Sequence, residues 1–277
     1  MTEFSSYTHG TPCWVDVTSP DLDKTIEFYG GLFGWEADQD PRPEAGGYTM
    51  FKLRGKYVAA ASPPQQEGIP SHWTTYIASD DVDDTAAKIR DAGGTLLAEP
   101  FDVFDSGRMT VAQDPTGAIF GVWQAGTHHG AQLANEPGSF QWNECETRDV
   151  AAAEEFYTTV FSYSVNKMDM GQEEPYRMFM LGDHRTAGLF KITDDMGDVP
   201  PNWMTVFAVA DADAAAAKAK ELGGELLFGP QDIPVGRFAV LQDSTGAAFQ
   251  VVAPPQRRHP RPRRRSSSWA ARRPCRR

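Results

Sequence analysis

The sequence predicts an α+β protein made of four β-α-β-β-β modules, two in each of two tandem domains. Three observations lead there. The stretch Phe28–Trp35, FYGGLFGW, returns 128 residues later as Phe156–Tyr163, FYTTVFSY. Its surroundings return with it: Trp14-Val-Asp16 as Trp142-Asn-Glu144, Gly93-Gly94 as Gly223-Gly224, Gly107-Arg108 as Gly236-Arg237, and Asp114-Pro-Thr-Gly117 as Asp243-Ser-Thr-Gly246. Self-similarity at a fixed spacing marks repeated structural units. Within each copy, a period of two gives way to a helical period and then to three more strand-like runs, and this order occurs twice.

The elements of the first copy follow in order. Residues 12–18 alternate, with Trp14 and Asp16 on one face and Cys13, Val15 and Val17 on the other. Ser19-Pro20-Asp21 opens a helix, with Ser19 as the expected cap, Pro in the first turn and an acid at the positive end. Leu22, Ile26, Tyr29 and Phe33 keep helical spacing, and Gly34 ends the helix. Strands are expected over 35–38, 48–53 and 57–61, with Arg54-Gly55-Lys56 turning between the last two. The second module gives a strand over 72–78, a helix over 82–92 stopped by Gly93-Gly94, and strands over 95–99, 109–113 and 118–123. Asp114-Pro115-Thr116-Gly117 has Asp, Pro and Gly in type I turn positions, and is read as structure without chemistry. The expected organisation is a first domain over 10–125, a linker over 126–138, a second domain over 139–253 and a disordered Arg/Pro-rich tail over 254–277. His128-His129 in the linker is read as a solvated loop.

Charge separates body from tail. The tail holds ten Arg and no acid, which leaves 16 Lys and Arg against 38 Asp and Glu before it. Phosphate contacts need cations, so the folded body is not expected to bind nucleic acid. No apolar run reaches the roughly 18–20 residues of a membrane span, and MTEFSSYTHG has no signal-like apolar region. Cys13, Cys145 and Cys275 are odd in number without CxxC spacing, which fits a reducing cytoplasm. No P-loop, dinucleotide fingerprint or Ser-His-Asp arrangement is present.

With FYGGLFGW after the first strand and DPTGAIF before the last, the chain resembles the vicinal oxygen chelate superfamily, which includes glyoxalase I, bleomycin-resistance proteins and dioxygenases. The HWTTYIASDDVD…DAGG wording and tandem length are similar to a narrower group of mycobacterial antigens and anthracycline-pathway accessory proteins often labelled hydroxylases. The resemblance covers about residues 10–253 and implies paired modules curling their mixed sheets into clefts, with metal ligands on the cleft faces. The corresponding places fall near Pro12, Lys52, Thr74 and Gly121 in the first copy, and near Phe140, Met180, Met204 and Gln250 in the second. A divalent ion needs imidazole or carboxylate, so no metal cofactor is expected, a divalent ion being the disfavoured alternative.

By parity the first cleft instead offers Trp14, Asp16, Tyr48, Met50, His72, Tyr76 and Trp123, and the second Trp142, Glu144, Tyr176, Met178, Met180 and Met204. Asp16, Glu144 and His72 are the candidate catalytic groups, because a buried acid beside Trp is costly unless used or paired. Trp14, Tyr48, Tyr76, Trp123, Trp142 and Tyr176 are candidate ligand-binding residues. Arg108 and Arg237 join them as partners for those acids or for an anionic ligand. The expected function is binding, sequestration or conversion of an aromatic or largely apolar small molecule without metal, by a monomer or homodimer. A metal-dependent glyoxalase I-like lyase or dioxygenase, and a non-catalytic scaffold, stay open as alternatives.

Overall fold

A computed structural model describes residues 2–169 and 174–255. The expected tail therefore lies outside the described residues from 256 onward. The first half contains β1 (Pro12–Thr18), α1 (Leu22–Phe33), β2 (Glu36–Gln39), β3 (Thr49–Leu53), β4 (Lys56–Ser62), β5 (His72–Ala78), α2 (Val82–Asp91), β6 (Thr95–Val103), β7 (Gly107–Gln113) and β8 (Ile119–Ala125). The second half repeats them as β9 (Phe140–Thr147), α3 (Val150–Phe161), β10 (Ser164–Met168), β11 (Tyr176–Leu181), β12 (His184–Lys191), β13 (Asn202–Ala208), α4 (Ala212–Glu221), β14 (Glu225–Ile233), β15 (Gly236–Gln242) and β16 (Ala248–Ala253).

Each half forms one eight-stranded mixed sheet, ordered β2-β3-β4-β1-β5-β8-β7-β6 and β10-β11-β12-β9-β13-β16-β15-β14. The two modules of a half meet where β1 runs antiparallel to β5, and β9 to β13. Gly34 takes a left-handed conformation (φ 73°) at the end of α1, as its stop role requires. Asp21, rather than Ser19, caps α1 by accepting from the Lys24 N–H. Ser19 instead accepts from the Thr25 hydroxyl inside the fold. The outer strand β6 runs four residues past the expected stop at 99, through Pro100, and its counterpart β14 runs through Pro230 in the same way. Both are sheet edges, where a missing N–H costs no ladder bond.

The two sheets share their cores crosswise. One buried cluster joins Phe28, Tyr29, Phe33 and Trp35 of the first module to Phe207, Ala219, Leu241 and Phe249 of the fourth. The other joins Ile89 and Phe120 of the second module to Phe156, Tyr157, Phe161 and Trp203 of the third and fourth. The repeated motifs make these joints. Tyr29 donates its hydroxyl to Asp243 Oδ2 (2.9 Å) and accepts from Trp73 Nε1 (2.9 Å). Tyr157 donates to Asp114 Oδ2 (2.9 Å) and accepts from Trp203 Nε1 (2.7 Å). A side chain on Gly94 would meet Phe156 at 2.9 Å, and one on Gly224 would meet Phe28 at 2.8 Å, so these glycines let the opposing aromatic rings in. Asp114 is a turn residue, as its sequence context suggests: Oδ1 accepts from the N–H groups of Thr116, Gly117 and Ala118. Its other oxygen is also an interdomain latch. At the centre the sheets lie back to back, where Asn143 donates to the Thr75 hydroxyl (2.8 Å). Among the described residues no helix is long and apolar enough to cross a membrane.

Candidate functional site

The face of each sheet turned away from these cores carries a buried acid at the end of a tryptophan–tyrosine relay. On the first sheet Trp14 Nε1 donates to the Tyr48 hydroxyl (3.0 Å), and Tyr48 donates to Asp16 Oδ2 (3.3 Å). On the second, Trp142 Nε1 donates to Tyr176 (2.8 Å), and Tyr176 donates to Glu144 Oε2 (2.7 Å). Parity explains the alignment: Trp and acid stand two apart on β1 or β9, and the tyrosine reaches over from the residue just before β3 or from the start of β11. Asp16 is 5% exposed and Glu144 8%. Burial pushes Asp16 up to about 7 against the lowering hydrogen bonds from Tyr76 and Tyr48, and raises Glu144 in the same way.

The second donor to each acid comes from a different strand. In the first sheet Tyr76 donates to Asp16 Oδ2 (3.0 Å) and lies across Gly121, the residue paired with it on β8. In the second sheet the paired positions are Val206 and Gln250, and it is Gln250 Nε2 that donates to Glu144 Oε1 (3.2 Å). A large residue on one strand is matched by a small one beside it, with the pattern reversed between copies. Gly121→Ala is therefore expected to push the Tyr76 ring off Asp16 and cost about 1–3 kcal/mol of stability, measurable by urea unfolding.

The sequence reading missed a second acid. Glu146, 3% exposed, shares its face with Glu144. It accepts from the same Gln250 Nε2 (3.2 Å) and from Asn202 Nδ2 (3.2 Å). Burial, then the neighbouring Glu144 charge, push Glu146 up to about 8, so this pair holds a proton at neutral pH. The signal was available in W-N-E-C-E, which places Trp142, Glu144 and Glu146 on one face. In the first sheet the corresponding positions are Thr18 and His72. His72 lies on the expected face, but its Nδ1 pairs with the Pro70 carbonyl (2.8 Å), and it makes no bond with Asp16.

Arg108 and Arg237 have to be removed from the candidate site. Arg108 shares the core-side parity of Thr110 and Ala112, and it clasps Asp83 (2.8 Å) and Asp102 (3.0 Å). Arg237 clasps Asp213 (2.5 Å) and Asp232 (3.1 Å) in the same manner. Each ties the start of a helix to the outer edge strand, away from both acids.

The linker also differs from expectation. The His128 ring stands nearly perpendicular to Trp14 (centroids 4.5 Å, 82°) and lies 5.7 Å from Trp123, whose Nε1 donates to the His128 carbonyl (2.9 Å). Burial pushes His128 down to about 4, so the ring is neutral. Ala131 N–H bonds the Cys13 carbonyl (2.8 Å), Gln132 N–H the Tyr57 carbonyl (2.7 Å), and Tyr7 donates to the Ala131 carbonyl (2.7 Å). The linker thus lies as a strap over the first sheet. A cavity of about 610 Å³ flanks it, lined by Phe4, Met50, Lys56, Tyr57 and His128 among others, and a smaller one of about 240 Å³ touches Cys13, Trp123 and His129. Neither is lined by Trp14 or Asp16.

The divalent ion implied by the resemblance does not fit these residues. Thr74 and Met204 pair directly with Asp16 and Glu144 where ligands were sought, and Gly121 lies beneath the Tyr76 ring. Lys52 is ion-paired with Asp38 (2.6 Å). Among the described residues no three His, Cys, Asp or Glu side chains converge as a metal would need.

Comparison with known proteins agrees with the repeat. The sequence profile of the Glyoxalase/Bleomycin resistance protein/Dioxygenase superfamily matches residues 13–122 and again 144–251. The chain is 44% identical over 259 residues to CFP32 of Mycobacterium tuberculosis, covering 92% of this chain and 98% of that protein. It is 39% identical over 267 residues to the anthracycline biosynthesis protein DnrV of Streptomyces peucetius, covering 91% and 95%. The fold is similar to the Mn(II)-bound glyoxalase from Novosphingobium aromaticivorans, with a TM-score of 0.62 at 17% identity over 89% of this chain and 83% of that one. With both halves matched and relatives aligned over nearly their full length, this chain belongs to the glyoxalase/bleomycin resistance protein/dioxygenase superfamily.

Proposed function

We propose that the second cleft binds a flat, largely apolar organic molecule without a metal ion, and that the Glu144–Glu146 pair meets its polar atom. The observation that carries this reading is the Trp142–Tyr176–Glu144 relay running into a second buried acid through Gln250. Met178 and Met204 supply polarizable apolar wall on the same face. A neutral carboxyl donates a hydrogen bond to a ketone or phenolate oxygen, and its ionised neighbour accepts one from a phenol. Together the two can pass one proton to or from a bound molecule. Tyr176 and Gln250 hold Glu144 in place, and Asn202 holds Glu146. The name of DnrV links that relative to anthracyclines, which are fused-ring aromatics bearing ketone and phenol oxygens. A molecule of that shape suits such a wall.

Alizarin, a planar hydroxylated anthraquinone, is a suitable probe. It is expected to quench tryptophan fluorescence on binding. Trp142→Ala is expected to weaken its binding about tenfold while leaving the thermal unfolding transition cooperative, since removal of one aromatic wall costs on the order of 1–2 kcal/mol of binding. Unchanged affinity in Trp142→Ala would remove this face from consideration.

A further inference from the structure

We propose that the first cleft is a ligand slot already filled by the chain's own His128 ring, so that a planar aromatic ligand enters only the second cleft. This rests on the reading of the second cleft given above and deepens it, because the filled copy shows what the open copy takes.

The two faces carry the same relay, Trp14–Tyr48–Asp16 and Trp142–Tyr176–Glu144, but differ in what covers the indole. Against Trp14 stands a flat five-membered heteroaromatic ring at 4.5 Å and 82°, an edge-to-face arrangement that an aromatic ligand would adopt. Trp123 closes the other side at 5.7 Å. The ring is not a chance visitor, since its own carbonyl is held by Trp123 Nε1 and the strap beyond it is bonded to Cys13 and Tyr57. Gly130 lets the strap descend: it has φ 106°, and a side chain there would meet the Cys13 carbonyl at 2.5 Å. The buried Nε2 of His128 has no hydrogen-bond partner, so the ring is seated by its shape and faces rather than by polar contacts. The strap also divides the remaining space into two hollows that reach neither Trp14 nor Asp16.

Among the described residues, the second face has no such cover. Trp142 is half-buried, and none of the ring contacts among the described residues involves it. Val252 stands in the position equivalent to Trp123, two residues beyond Gln250 and so on the same side, which leaves the slot wider on that flank. The ligand class follows from the occupant: a flat ring set perpendicular to an indole, needing no charge at the point of contact.

The test uses stoichiometry and a small probe that replaces the missing ring. Wild-type protein is expected to bind one equivalent of alizarin, about tenfold more weakly in Trp142→Ala and with unchanged affinity in Trp14→Ala. His128→Gly and His128→Ala are both expected to bind two. Imidazole added to His128→Gly is expected to shift the indole N–H resonances of Trp14 and Trp123, with no such shift in wild type. Two equivalents on wild type, or one equivalent that Trp14→Ala removes, would overturn the proposal. So would His128 variants that fold, gain no alizarin site and show no response to imidazole. Absence of alizarin binding by wild type would instead count against the second cleft as a binding site, and the imidazole response of His128→Gly would still decide whether the first is a filled slot.

Discussion

Replacing Asp243 by alanine is expected to destabilise the protein by roughly 3–5 kcal/mol, well above a typical surface change. Its Oδ1 accepts from the backbone N–H groups of Thr245, Gly246 and Ala247 and from the Thr245 hydroxyl, at 2.8–3.0 Å. Its Oδ2 accepts from Tyr29 of the other half of the chain. Alanine would leave several of these buried donors without a partner at once, each costing about 1–3 kcal/mol before relaxation. Tyr29→Phe removes one hydroxyl from the same chain of bonds and strands Trp73 Nε1 as well, for an expected loss of about 2 kcal/mol. Because the two residues act through one contact, the double variant is expected to lose less than the sum of the single losses. Urea unfolding of the four proteins of this cycle reads the coupling directly. Additive losses would show that Asp243 works only within its own turn.

Glu146→Gln is expected to flatten the alkaline side of the stability profile. The folded-state pKa of Glu146 is raised, from an ordinary 4.5 to about 8. The folded protein therefore keeps a proton that the unfolded chain has released. Its contribution is fully present below about 4.5, declines as pH rises, and is gone once the group ionises in the folded state near 8. Across that window one proton is worth a slope of about 1.4 kcal/mol per pH unit. Asp16 and Glu144 are raised as well, so the parent carries more than one such slope. Glutamine keeps an acceptor and a donor without a charge, and should lie above the parent in stability at pH 8.5 and close to it at pH 5. Urea midpoints across this range measure it, and parallel profiles for parent and variant would show that Glu146 does not hold the proton.

Much of this architecture was legible in the sequence because it rests on period and repetition. The strand over 12–18 and the helix stop at Gly34 need only local chemistry, and both stand as expected. The edges were less legible, since Pro100 reads as a breaker until its strand is known to be outermost. At the site, parity placed Trp14 beside Asp16 and Trp142 beside Glu144, but recurrence misled at Arg108 and Arg237. Both return because the outer strand of each module must be tied to its helix, and recurrence alone says nothing about the face. Glu146 was readable from the same parity and was overlooked because its counterpart Thr18 is not acidic. His128 was not readable: its partner Trp14 is more than a hundred positions away, and the linker has no period to reveal which face it crosses.

The crosswise joints also bear on how the chain is made. Phe28 and Tyr29 emerge early from the ribosome, yet Gly224, Asp243 and Phe249, which cover them, come some two hundred residues later. At synthesis rates of 5–20 residues per second, the aromatic side of α1 waits roughly 10–40 s for its partners. The middle joint, between Phe120 and Tyr157, closes over a far shorter span. Assembly should therefore proceed from the centre outward, and a nascent chain arrested before residue 243 should carry a sticky first helix that recruits chaperones. Two sheets that look like independent beads are, for the cell, one object that is finished only when its last strand arrives.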